Sequence, residues 1–100
     1  MIRHIIMFKF TDVLNDSNRL SKAEKMKSSF SQMKSLINVV KSYDVKVNMK
    51  KTDFSYDVVI QSEYDSWEDL DIYLKHTEHQ KAIAMCKDIK KEKAVIDYEY

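Results

Sequence analysis

The chain has no glycine and no proline among its 100 residues, and it has one cysteine. Without glycine no backbone loop can close tightly around a phosphate, which excludes Walker-type and dinucleotide-binding motifs. Turns must be built from Asn, Asp, Ser and Thr, whose short side chains bond to nearby backbone. A lone thiol, Cys86, cannot form an internal disulfide and fits a reducing compartment. No run approaches the roughly 18 apolar residues that a membrane-spanning helix needs. The opening Met1-Ile-Arg-His-Ile-Ile6 has neither the apolar length nor the cleavage site of a signal peptide. The expectation is a full-length cytoplasmic protein. Charge of one sign is missing too: 17 Lys and Arg face 16 Asp and Glu. The lysines are interleaved with acids, so no basic stripe points to nucleic acid.

What is present is a globular composition, 44% apolar and 33% charged, well away from that of disordered chains. The length suits one domain over residues 1–100. Residues 2–10 alternate as a strand, with Ile2, His4, Ile6, Phe8 and Phe10 on one face and Arg3, Ile5, Met7 and Lys9 on the other. Asn15-Asp-Ser-Asn18 signals a helix start, with a capping box at Ser21 and Glu24. Leu20, Ala23, Met26, Phe30, Met33 and Ile37 then form one apolar stripe, predicting a helix of about five turns. Residues 43–49 and 54–64 alternate again and lie close enough for a hairpin. Asp65-Ser66 caps a helix with Trp67, Leu70, Tyr73 and Leu74 on its apolar side. A further helical segment near 78–91 carries Ala82, Ile83, Cys86 and Ile89, and residues 94–100 alternate as a closing strand.

This order predicts an α+β, ferredoxin-like βαββαβ fold: a four-stranded antiparallel sheet with its helices on one face. The cleaner apolar face would lie under the helices: Ile2, Ile6, Phe8, Phe10, Val45, Val47, Tyr56, Val58, Ile60, Ile96 and Tyr98. The opposite face is mixed, with Ile5, Met7, Val59 and Val95 among Arg3, Asp57, Glu63, Asp97 and Glu99. A second copy of the chain would cover such a face, and two-fold homodimers are the commonest oligomers.

Four segments together resemble the stress-responsive dimeric α/β-barrel (Dabb) family. They are Ile2-Arg-His-Ile-Ile-Met-Phe-Lys-Phe10, Tyr56-Asp-Val58, His76-Thr-Glu-His-Gln-Lys81 and Ala94-Val-Ile-Asp-Tyr98. The resemblance covers essentially the whole chain. It implies a homodimer in which two sheets face each other as a barrel with the helices outside. A plant polyketide cyclase shares this fold family, and its tyrosine–histidine pair does acid–base work. The resemblance carries those roles onto His4, Tyr73 and His79. Three positions depart from the pattern. Phe30 stands where the cyclase has a tyrosine, Val58 where it has a histidine, and His76-Thr77 where the family has His-Pro. The first two changes leave the pocket more apolar.

The residues themselves leave two readings of His4, Tyr73 and His79 open. They converge between sheet and helices as an acid–base site, or they are buried polar groups bonded to one another and to backbone. The walls of a pocket there would be Ile6, Phe8, Phe30, Tyr56, Val58 and Trp67, with Trp67 also a core anchor. Cys86 reads as a buried hydrophobe. His76 reads as exposed or as capping a helix carbonyl. A metal site is disfavoured, since His76 and His79 lack the further ligands zinc needs, and no cofactor is expected. Three functions compete: a dimeric binder of a small apolar ligand, a cofactor-free lyase, isomerase or cyclase acting on a carbonyl compound, and a purely structural dimerisation module.

Overall fold

The computed structural model describes all of residues 1–100. The chain runs β1 (Ile2–Phe10), α1 (Asp16–Phe30), α2 (Met33–Leu36), β2 (Ser42–Val47), β3 (Val58–Tyr64), α3 (Trp67–Lys75), α4 (Thr77–Met85) and β4 (Lys91–Glu99). The strands form one antiparallel sheet in the order β2-β3-β1-β4. Each βαβ half is split by a strand of the other, which is the ferredoxin-like arrangement expected. The helices pack mainly over β1, β2 and β3, leaving β4 at an edge. No helix is long and apolar enough to cross a membrane.

The core follows the predicted stripes. Ile2, Phe8 and Phe10 of β1 and Val58, Ile60 and Tyr64 of β3 meet Ala23, Met26, Phe30, Met33 and Ile37 from the helix layer. The long first helix is broken after Phe30. Ser29 Oγ donates to Lys25 O (2.9 Å) and Ser31 Oγ to Ser28 O (3.3 Å). Serines that bond back to the preceding turn compete with the helical ladder. The capping box is not used as the helix start. Asn15 is the N-cap, its side chain accepting from Asn18 N at 2.8 Å.

Two faces differ from the sequence reading. On β4 the assignment is reversed. Val95 pairs with Ile6 and Asp97 with His4, so Val95 and Asp97 stand on the helix side of the sheet. Ile96 and Tyr98 pair with Ile5 and Arg3 on the outer side. An edge strand with no helix above it gives burial no means of separating its two alternating sets: Val95 is 48% exposed and Ile96 59%.

The second difference is at Asp57, expected on the polar outer face and found fully buried. Here the chain leaves the ladder, and Phe54, expected in the strand, lies outside it and is 92% exposed. The Asp57 carboxylate accepts from Phe10 N at 2.7 Å and from Arg19 Nη1 at 3.4 Å. Arg19 is itself buried, and also donates to Asn48 O (3.1 Å) and Asp16 Oδ1 (3.0 Å). This knot ties α1 to the ends of β1 and β3, taking a helix position that a purely apolar stripe would give to Leu20.

Removing one partner of a buried ion pair strands the other's charge. Arg19→Leu should therefore lower the unfolding free energy by about 3 kcal/mol in urea titrations. Adding Asp57→Asn should recover a good part of that loss. A single-variant loss below about 1 kcal/mol, the range of an exposed pair, would show that the knot is not structural.

Candidate functional site

A cavity of about 360 Å³ lies between the helix-side face of β1 and β4 and the side chains of α1, α3 and α4. Its walls are mostly apolar, including Ile6, Phe8, Met26, Phe30, Ile60 and Ile83. Polar groups interrupt them: His4 with Asp97, His79, Tyr73, Lys91 and Lys93.

His4 is placed by β1 and Asp97 by β4, directly across the ladder. His4 Nδ1 donates to Asp97 Oδ1. The carboxylate thereby places the proton on Nδ1 and fixes the orientation of the ring. No buried side-chain nitrogen or oxygen lacks a partner, and His4 Nε2 makes no hydrogen bond. That nitrogen therefore reaches open space, which is the cavity His4 lines.

His79 is placed by the break between α3 and α4. His76 ends α3 and caps α4, its Nδ1 accepting from Glu78 N at 3.1 Å. It thus caps an amide at a helix start, where a carbonyl at a helix end had been one expectation. Thr77 occupies the first turn, the position at which a proline would fit equally well. One turn on, His79 Nδ1 donates to Leu74 O at 3.0 Å, a carbonyl orphaned by the end of α3, which Gln80 also reaches at 2.9 Å. Burial pushes the His79 pKa below the ordinary imidazole value. The Leu74 carbonyl opposes that shift and the nearby His4 adds to it. His79 is consequently neutral at pH 7, with its Nε2 lone pair unprotonated.

Tyr73 packs its ring 4.4 Å from that of His79 and 6.5 Å from that of His4, centroid to centroid. Its hydroxyl pairs with Tyr43 OH at 2.7 Å, so the group that holds His79 in position is the Leu74 carbonyl. Burial raises the pKa of Tyr73, Tyr43 and Tyr64 well above the usual phenol value, so all three stay protonated. Phe30 closes the cavity beside His79, ring centroids 6.1 Å apart.

Of the residues singled out from the sequence, His4, Tyr73, His79, Ile6, Phe8 and Phe30 line this cavity. Tyr56, Val58 and Trp67 do not. Tyr56 and Val58 border a separate hollow with Met7, Val47 and Val59, because the chain departs from the strand at Asp57. Trp67 is neither wall nor core anchor. It is 45% exposed, and its Nε1 donates to Glu99 Oε1 at 2.8 Å. Cys86 is buried on the cavity wall. The sequence reading missed Asp97, Val95, Lys91 and Lys93, all on β4. Pairing β4 against β1 would have found them, since His4 then meets an acid on the closing strand. No cluster of three or more His, Cys, Asp or Glu side chains is arranged to hold a metal ion.

The chain is similar to proteins already described. An uncharacterized protein of Streptomyces coelicolor is 29% identical over 102 residues, covering all of both chains. A dimeric protein of unknown function with a ferredoxin-like fold from Bacteroides fragilis superposes with a TM-score of 0.86 at 26% identity, over 99% of this chain and 95% of that one. A dimeric ferredoxin-like protein of unknown function from Thermobifida fusca gives 0.81 at 19% identity, over 99% and 90%. The sequence profile of the stress responsive A/B barrel domain matches residues 2–100. With that match and the fold behind it, the chain belongs to the stress responsive A/B barrel domain family.

Proposed function

We propose that this protein is a homodimer whose subunits each bind a small, largely apolar compound in the cavity beside His4 and His79. The observation that carries the reading is the cavity itself: apolar walls with a few convergent polar groups are the usual form of a ligand site. The homodimer draws support from the outer sheet face, where Ile5, Met7, Val59 and the exposed Ile96 lie among charged side chains. The proteins from Bacteroides fragilis and Thermobifida fusca are described as dimeric. A cytoplasmic place and a part in stress responses belong to the same reading, supported by the lone buried cysteine and the family's description.

A second reading, proton transfer on a carbonyl compound, is favoured by one feature. Both imidazoles are tied back through Nδ1, to Asp97 and to Leu74 O, leaving both Nε2 atoms for a ligand. In this reading His79 Nε2 takes a proton from carbon next to a carbonyl. His4 in its imidazolium form, oriented by Asp97 through Nδ1, donates from Nε2 to the carbonyl oxygen as the enol forms. Tyr73 keeps its proton and supports His79 through its ring. Return of the proton from His79 to another carbon of the enol system, as the enol oxygen gives its proton back to His4, is isomerisation. Attack of the enol carbon on a second carbonyl of the same compound, whose π bond breaks and whose oxygen takes the proton from His79 as the enol oxygen returns its own to His4, is ring closure.

Acetophenone, an apolar aryl ketone, separates the readings in D2O. Binding should raise the melting temperature by mass action. Methyl-proton exchange that is lost in His79→Gln supports proton transfer, whereas binding without exchange leaves a binding protein. Sedimentation should show a dimer that Ile5→Lys converts to a monomer, and a wild-type monomer at micromolar concentration would overturn the homodimer.

The His79 titration also predicts a pH effect. Its depressed folded pKa contributes stability that is full above the ordinary value of about 6.5 and is lost as pH falls toward the folded one. Urea unfolding at pH 7 and pH 5 should show a smaller acid loss in His79→Gln than in wild type. Equal losses would mean that His79 titrates as a free imidazole.

A further inference from the structure

We propose that the compound held in the cavity is an amphipathic anion, with an apolar body and a carboxylate-like head that pairs with Lys93 at the mouth. This rests on the ligand-cavity reading above and narrows it to a chemical class. Lys93 lines the cavity from β4, directly across the ladder from Phe8. It makes no hydrogen bond or ion pair within the chain, unlike the other charged groups of the wall. Asp97 is engaged by His4. Lys91 Nζ donates to Cys86 O and Ile89 O, each at 3.0 Å, where the chain turns after α4. His79 is neutral at pH 7. Besides its imidazoles the lining thus holds two ammonium groups and one carboxylate, and the one of these without a partner is Lys93.

Its position suits a head group. β4 is the uncovered edge of the sheet, so the cavity opens along it, and Lys93 is exposed while Phe8 and Ile6 beside it are apolar. A lysine stem lies readily along such a surface while its ammonium reaches water. Lys93 and Asp97 are four residues apart, about 13 Å along the strand. A ligand anchored at Lys93 therefore lays an apolar body of several bonds along Phe8, Ile6 and Val95 before reaching His4.

Sodium octanoate and 1-octanol test this by calorimetry at pH 7 and low salt. They share an alkyl body and differ in head charge, and shifts of Phe30 and Ile83 resonances locate the binding. The expected result is octanoate binding about five-fold tighter than octanol, the size of one partly exposed ion pair. That preference for octanoate over octanol should vanish in Lys93→Met, and shrink in 0.5 M NaCl through screening. Equal affinities in wild type, or a preference that survives Lys93→Met, would overturn the anionic ligand while leaving the cavity reading intact. Binding of neither compound would overturn the cavity reading and this inference with it.

Discussion

The antiparallel pairing of β1 with β4 sets everything at the cavity. It runs from Ile2 opposite Glu99 to Phe10 opposite Lys91, and backbone bonds close it at both ends, Tyr100 N to Met1 O and Thr11 N to Lys90 O, each 3.1 Å. Side chains alternate along a strand, so a slip of one residue would turn Asp97, Val95 and Lys93 away and bring Ile96 against His4. His4 would then lose its carboxylate and the cavity its charged edge. An edge strand has few packing contacts to prevent this. Its register is held by the ladder and by the His4–Asp97 bond.

The helix layer contributes through a break. One continuous helix from Trp67 to Met85 would have used the Leu74 carbonyl in its own ladder. Ending α3 at Lys75 frees that carbonyl, and His76 restarts the chain as the cap of α4. His79 then lies where its Nδ1 finds the freed carbonyl and its ring meets Tyr73. A backbone irregularity is thereby turned into the orientation of one imidazole, and the same burial that satisfies the carbonyl keeps that imidazole neutral.

The order of elements and most of the core were legible because β1, β3 and the apolar helix stripes are strongly periodic and covered by the partner layer. Trp67 and Phe54 were misread because hydrophobicity alone does not bury a side chain: Trp67 opens α3, Phe54 lies in the link between β2 and β3, and both are exposed. Asp57 and Arg19 were hidden for the opposite reason: each looks like a surface charge until its partner is known. The site was half legible. His4, Tyr73 and His79 stood out by residue type. Asp97 and Lys93 did not, because their role depends on which strand lies beside β1.

The Arg19–Asp57 knot holds the sheet to α1 at the Phe8–Phe10 end of β1, while the two imidazoles are held from the other strand edge and from the α3–α4 break. The ion pair that fastens α1 and the bonds that set the imidazoles are therefore different groups of atoms, while Phe8, Met26, Phe30 and Ile60 serve both the core and the cavity wall. The polar groups of the interior can therefore be exchanged without touching the ion pair that fastens α1 to the sheet.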